Sequence, residues 1–321
     1  MAACCYSEIE MRFTPVALAL LAASLLRADI VSDVGASLSS GNLTQAHVAV
    51  RAYRARNGVT PEFLEALSWI GRVEFLAKQF ASAEADARET ETLASAQLKT
   101  RSIDSDPHLP VALGAAIEVQ AQAMAARGAR SEAVDYLRQR LKTYFATSIR
   151  TRIQKNINLL SLEGKPAPPL DISVYLGPKP SPLAALRGRP VLLFFWAHWC
   201  GDCRAEAPLL ARIKSEYAGR LVIMGPTQRY GYIGGGDEVP PTLELKYIDR
   251  IRHEFYSRLL DVPVPVSEEN FKRYGSSTTP TLVLIDRRGI VRLYHPGNLS
   301  YEALRADIDA LLVSSKIRKA S

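Results

Sequence analysis

Two hydrophobic rhythms divide this chain. From Asp29 to about Leu160, apolar residues recur at helical spacing among Ala, Glu, Arg and Gln, and proline is scarce. That period predicts a succession of amphipathic helices packed into an all-α region. A weak internal repeat runs through it. Gly41-Asn42-Leu43-Thr44-Gln45-Ala46, Lys78-Gln79-Phe80-Ala81-Ser82-Ala83 and Gly128-Ala129-Arg130-Ser131-Glu132-Ala133 each place a small or turn residue, then a usually apolar residue, then Ala, at fixed offsets. Ala at the third place lets two paired helices approach closely, as helical-hairpin repeats require. The copies are unevenly spaced and Ser102 to Pro107 reads as an inserted loop, so an irregular bundle with Ala-rich packing competes with a true repeat.

The rhythm breaks at Gly164-Lys165-Pro166-Ala167-Pro168-Pro169. Proline at this density forbids helix and favours an extended linker that few contacts cross. The break predicts a helical domain at 29–162 and a second domain at 163–321. In the second, the uninterrupted apolar run Val191 to Trp196 reads as a strand buried on both faces, the pattern of a parallel sheet covered by helices. Leu221 to Met224 is another buried strand, whereas the alternating prolines of Val262 to Val266 allow only an edge or irregular strand. Leu282 to Ile285 and Ile290 to Tyr294 flank Asp286-Arg287-Arg288-Gly289 and read as a hairpin. Helical spacing covers about Asp202 to Tyr217, Thr242 to Leu260 and Tyr301 to Val313, the last capped by Ser300. The loop from Gly225 to Pro241 leaves the C-terminal end of a buried strand, the edge where α/β active sites lie. Its Gly234-Gly235-Gly236 is followed by no Gly-Lys-Ser/Thr, so it reads as a mobile loop rather than a phosphate cradle.

Composition narrows the function classes. The chain of 321 residues has a formal net charge of +7, but its Lys and Arg are interleaved with Asp and Glu. No basic stripe with interleaved aromatics exists, so no nucleic-acid partner is expected, and Lys316 to Lys319 reads as a solvated tail. Arg12 and the apolar run Val16 to Leu26 mark residues 1–28 as a signal peptide or an uncleaved N-terminal anchor, with Met11 competing with Met1 as the start. The chain is therefore expected outside the cytoplasm, periplasmic or anchored to the membrane. Four cysteines in two unlike contexts, Cys4-Cys5 and Cys200/Cys203, do not make a disulfide framework. Zinc at the CxxC would need two more ligands at ordered spacing, and no second CxxC or HxxxH is present. No metal and no other cofactor is expected.

What remains is Cys200-Gly201-Asp202-Cys203, placed where a strand ends and a helix begins. N–H groups at a helix start favour negative charge, hence a thiolate at Cys200. Two intervening residues let Cys203 face it on the same turn, within disulfide reach. Asp202 opposes the thiolate as a neighbouring like charge, which favours a reductant or mid-range exchanger over a strong oxidant.

The run Phe195-Trp196-Ala197-x-Trp199-Cys200-x-x-Cys203, followed by Arg204, Glu206 and Pro208, resembles the thioredoxin-like superfamily, in particular its extracytoplasmic TlpA/ResA-type branch. The resemblance covers about Gly164 to Val313. It implies an α/β thioredoxin-like domain, a central mixed sheet flanked by helices, and a thiol–disulfide oxidoreductase. Cys200 would then be the nucleophile and Cys203 the resolving thiol. Glu206 would be a proton acceptor for Cys203, or else simply a first-turn acid favouring the helix dipole. Thr279-Pro280 matches the cis-proline loop of that fold; with Trp199 it would line the substrate site, the Thr279 backbone pairing with an extended substrate strand. Trp196, His198 and Arg204 read as structural or electrostatic. Two departures stand out: the middle pair is Gly201-Asp202 where that branch has Pro-Pro or Gly-Pro, and Phe194 occupies the position of the buried Asp of thioredoxins proper. The expected partners are protein disulfides or dithiols and a membrane or soluble thiol protein that donates electrons. The helical hairpins resemble tetratricopeptide repeats, including Ile70-Gly71 at a Leu-Gly position, and imply a docking surface for a protein partner. Two other readings compete: a partner-binding helical scaffold with an accessory redox domain, and a thiol-dependent peroxidase. The second needs a Thr/Pro-x-x-x-Thr-x-x-Cys setting that His198-Trp199 does not supply.

Overall fold

The computed structural model describes residues 29–317; the expected signal segment at 1–28, Cys4 and Cys5 lie outside the described residues, as does the end of the basic tail. Seven helices come first: α1 (Ile30–Ser39), α2 (Leu43–Asn57), α3 (Pro61–Leu76), α4 (Phe80–Gln97), α5 (His108–Ala126), α6 (Arg130–Thr143) and α7 (Arg150–Ser161). Their starts are set locally. Asp29, Asn42 and Thr60 each accept an orphan N–H of the first turn, and Pro61 takes the first position of α3, where its missing N–H costs nothing. The three copies of the internal repeat coincide with three equivalent turns. Gly41, Lys78 and Gly128 all adopt positive φ, at 74, 61 and 95°, and the next helix opens two residues later. Ala46, Ala83 and Ala133 are then fully buried. At Gly71 a Cβ would meet the Ala83 carbonyl oxygen at 3.4 Å, so these small residues set how closely α3 and α4 approach. Helix α5 is long and apolar enough to cross a membrane by length and composition, but most of it is buried among its neighbours, and it forms the centre of the bundle.

The remaining elements are β1 (Tyr175–Leu176), β2 (Val191–Phe195), α8 (Gly201–Glu216), β3 (Val222–Met224), α9 (Pro241–Phe255), β4 (Val264–Pro265), α10 (Glu268–Tyr274), β5 (Thr281–Ile285), β6 (Val291–Pro296) and α11 (Tyr301–Ile317). The main sheet has the order β3-β2-β5-β6. Strand β2 runs parallel to β3 (Val191↔Val222) and antiparallel to β5 (Phe195↔Thr281), so the sheet is mixed. The buried apolar run thus has a parallel neighbour on one side only; burial on both faces, not strand direction, makes it apolar throughout. Leu192, Phe194 and Trp196 point to one face with Leu210 and Ile213 of α8, Ile248 of α9 and Leu304 of α11. Val191, Leu193 and Phe195 point to the other, with Phe271 and Tyr274 of α10. The proline-bearing β4 is a short irregular strand rather than an edge: it pairs with β1 on one side, and on the other the Pro263 and Pro265 carbonyls accept the N–H groups of Gly225 and Thr227, both at 2.9 Å. Ser300 caps α11 by accepting the Ala303 N–H at 3.2 Å.

The proline-rich segment does not isolate the helical region. Gly164 and Ala167 donate N–H groups to Val291 and Gly289, both at 2.9 Å, and Pro166 bridges to Ile290, so the segment lies along the β5–β6 hairpin. Helix α7 packs on α10: Asn158 Nδ2 donates to the Arg273 carbonyl at 3.3 Å, and Leu162 joins the core beneath the sheet. Proline forbids helix, yet it does not forbid pairing along an edge. Gly275 makes this approach feasible. It ends α10 in the left-handed region (φ 61°), and a Cβ there would fall 2.3 Å from the backbone nitrogen of Lys155.

Candidate active site

Cys200 is the N-cap of α8, and its Sγ accepts the Cys203 N–H at 3.0 Å. The two cysteines form a disulfide with Cα atoms 5.3 Å apart. The first-turn spacing and the extended backbone at Cys200 create this approach. Cys200 is 4% exposed and Cys203 is wholly buried, while Trp199 beside them is 48% exposed. Gly201 and Asp202 are exposed in the first turn. The Thr279–Pro280 peptide is cis, and the Thr279 carbonyl oxygen lies 3.5 Å from Cys200 Sγ. The structure therefore brings Cys200, Cys203 and the Thr279-Pro280 loop together, although 79 positions separate Cys200 from Thr279.

Glu206 is buried one turn after Cys203. Its Oε1 accepts the Leu299 N–H at 3.0 Å, and its Oε2 has no hydrogen-bond partner among the described residues. Burial raises its carboxyl above the ordinary carboxylate range; the Leu299 N–H opposes the rise and Asp202 adds to it. A buried carboxyl with one free oxygen can take up or release a proton close to the dithiol. Phe194, where an acid would stand in thioredoxins proper, is instead core, packed against Tyr256.

The strand end leading into Cys200 is held by backbone and side-chain bonds. Trp196 Nε1 donates to the Gly225 carbonyl at 2.9 Å, and Thr227 Oγ1 donates to the Trp196 carbonyl at 2.8 Å. Arg204 reaches back to the His198 carbonyl at 2.6 Å and stacks over Phe255. His198 is buried among the ring edges of Tyr230, Tyr232 and Tyr247, with Nε2 3.5 Å from Glu244 Oε1. Burial lowers its tendency to protonate, against the pull of Glu244.

Tyr230 and Glu244 escaped the sequence reading. Glu244 accepts N–H groups from Tyr230 and Gly231 and thereby pins the start of the Gly225–Pro241 loop, expected to be mobile, against the site. Tyr230 then packs edge-on to Trp199, ring centres 5.5 Å apart. The one available signal was the position of that loop at the C-terminal end of β3; nothing local said which tyrosine would return to the cysteines.

Residues 183–312 match the family model of a thioredoxin-like domain. The thioredoxin-like protein YneN of Bacillus subtilis is 26% identical over 148 residues, 46% of this chain and 79% of that protein. The thiol:disulfide interchange protein DsbE of Xylella fastidiosa is 26% identical over 145 residues, 45% of this chain and 66% of that protein. Among solved structures, a thiol-disulfide isomerase from Corynebacterium glutamicum is 22% identical with a TM-score of 0.37, covering 46% of this chain and 96% of that one. By its family match and its mixed, helix-flanked sheet, the C-terminal region of this chain is a thioredoxin-like domain, with the Cys200–Cys203 pair at the start of its CxxC helix.

Proposed function

We propose that the chain is a thiol–disulfide oxidoreductase acting on protein disulfides through Cys200 and Cys203. The observation that carries this reading is the disulfide at the N-terminus of α8, facing the Thr279-Pro280 loop beside an exposed Trp199. The relative named as a thiol:disulfide interchange protein supports it. In the reducing direction the Cys200 thiolate attacks one sulfur of a substrate disulfide, forming a mixed disulfide and expelling the other sulfur as a thiolate. Cys203, deprotonated by Glu206, then attacks Cys200 Sγ. The Cys200–Cys203 disulfide forms, the second substrate thiolate leaves, and two electrons have passed to the substrate. A thiol-bearing donor protein, soluble or in the membrane, returns the electrons by the reverse exchange. Cys200 is the nucleophile because it caps the helix and is the less buried of the two. Thr279 and Trp199 border the place where the substrate sulfur arrives, and Gly201 and Asp202 tune the thiolate.

Export follows from the Arg12 and Val16 to Leu26 pattern, since the dithiol would then work in an oxidising compartment. The three equivalent turns of the helical region support a tetratricopeptide-like stack, with 29–162 as a docking unit for a protein partner. The test is equilibration in glutathione buffers of graded ratio, with alkylation and mass measurement. A single two-electron couple confined to Cys200 and Cys203 is expected. A pair that stays oxidised or reduced across the whole accessible range would remove the proposed activity.

A further inference from the structure

Three consecutive helices of the N-terminal region bring one imidazole and two carboxylates to a single point. His47 stands on α2, Glu74 on α3 and Asp86 on α4. His47 Nε2 is 3.2 Å from Glu74 Oε1 and 4.0 Å from Asp86 Oδ2, and one ligand atom from each of the three lies within 4.8 Å of the others. Gly71, one turn before Glu74, lies directly against Asp86: a Cβ there would stand in van der Waals contact with the Cβ of Asp86, at 3.6 Å.

The cluster is unbalanced as it stands. The Glu74 side chain is 4% exposed, yet its Oε2 has no hydrogen-bond partner among the described residues, and neither has Asp86 Oδ2. As a rule, buried carboxylate oxygens are paired in proteins, because leaving one unsatisfied costs its full desolvation. Burial, reinforced by Glu74 and Glu89 against the pull of His47, pushes the Asp86 carboxyl up to about 6. One imidazole facing two acids cannot neutralise both.

We propose that His47, Glu74 and Asp86 bind a divalent transition-metal cation of the zinc class. One nitrogen and two carboxylate oxygens suit such an ion better than calcium or magnesium, which ask for six or more oxygen ligands or mostly water. Ligands on a tetrahedral zinc at about 2.0–2.2 Å stand roughly 3.3–3.6 Å apart. The His47–Glu74 pair, at 3.2 Å, is already close to that separation, and Asp86 Oδ2, 4.0 Å from His47 Nε2, would have to move inward to join it. Three protein ligands leave a fourth position for water or another donor. The ion would tie α2, α3 and α4 together and satisfy Asp86 Oδ2, and chelation by Glu74 through both oxygens would satisfy its Oε2 as well. Sequence inspection points to no metal because the ligands come from three helices at no recognisable spacing.

The test uses the full chain with Cys200–Cys203 oxidised and all other thiols alkylated, so that sulfur cannot bind metal. Zn2+ alone is titrated by calorimetry, and Co2+ absorbance reports ligand type. One saturable equivalent per chain is expected, with a Co2+ spectrum free of sulfur charge-transfer bands. Loss of a supporting partner already costs about 10–100-fold in affinity, so loss of a direct ligand should cost at least about tenfold. Glu74→Gln and His47→Gln should each show that loss with helical content unchanged, while His108→Gln, in a separate His–Glu pair, should bind as the parent does. Should Glu74→Gln fail to fold, the half-exposed His47 decides the matter. Absence of saturable Zn2+ binding would overturn the proposal, as would unchanged affinity in His47→Gln.

Discussion

Replacing Gly275 with alanine strikes the place where the helical region meets the redox domain. Gly275 holds φ 61° at the end of α10, a conformation that costs an L-residue roughly 1–2 kcal/mol. The added Cβ would stand 2.3 Å from Lys155 N and 2.6 Å from both Gln154 C and Lys155 Cα. All three are backbone atoms of α7, so no side chain can swing aside; a helix must move. Overpacking of this kind costs about 1–3 kcal/mol, which brings the expected loss to about 2–5 kcal/mol. That is a large share of the 5–15 kcal/mol or so that holds a typical protein folded. Gly289→Ala is the matched control. It also has positive φ (81°), but its Cβ would meet only the Arg187 side chain, at 3.9 Å, so it should carry the backbone strain of about 1–2 kcal/mol alone. Urea unfolding, followed by far-ultraviolet circular dichroism and tryptophan fluorescence, gives both numbers. If Gly275→Ala lost no more than Gly289→Ala, α7 would not be seated on α10 as described.

Three further outcomes follow from charge. Glu118 is largely but not fully buried, which raises its carboxyl, but Lys155 and Arg152 overcome this and hold it at about 2. Its folded value is depressed, so its contribution is present above the ordinary 4.5 and is lost as pH falls from there towards 2. Glu118→Gln leaves Lys155 buried without its partner and should cost about 3–5 kcal/mol in urea unfolding at neutral pH; a cost below 1 kcal/mol would refute the network. Glu206 is shifted the other way. Its stabilising effect is complete below the ordinary 4.5 and fades as pH rises through its raised value, a slope that Glu206→Gln should abolish in a pH series of unfolding curves. Parallel curves for parent and variant would contradict the buried, proton-holding carboxyl. Asp202→Asn removes a negative charge beside the nascent thiolate and should make the couple more oxidising by up to about 30 mV, one unit of thiol pKa. A glutathione equilibrium measures it, and a more reducing variant would reverse the reading.

The β2 strand and the CxxC were legible because their signals are local: six apolar residues in a row, then two cysteines at helix-turn spacing. The turn residues of the helical region were legible for the same reason, and Gly41, Lys78 and Gly128 all take positive φ at the turn position their shared offset marked. What stayed hidden is tertiary. Helix α10 is seven residues long and mostly charged, so its period is too short to register, yet Phe271 and Tyr274 close one face of the sheet. Strand β1 is two residues whose strand partner among the described residues, β4, lies far along the chain. The proline-rich segment reads as a spacer locally and becomes a seam because the hairpin edge was free to receive it. At the site, Glu244 and Tyr230 reach the cysteines through the folding of a loop, which no spacing rule encodes.

Cys200 is proposed as the attacking thiol and Cys203 as the resolving thiol, and covalent trapping separates the two roles directly. Cys203→Ser keeps the helix-capping thiol but cannot release its partner, whereas Cys200→Ser leaves only a thiol with no exposed surface. The full chain of each variant is exposed to an oxidised protein substrate, quenched with acid, alkylated and weighed by mass spectrometry. Mixed disulfides through Cys200 are expected in Cys203→Ser and almost none in Cys200→Ser. Equal trapping by the two variants, or trapping through Cys203 alone, would contradict it.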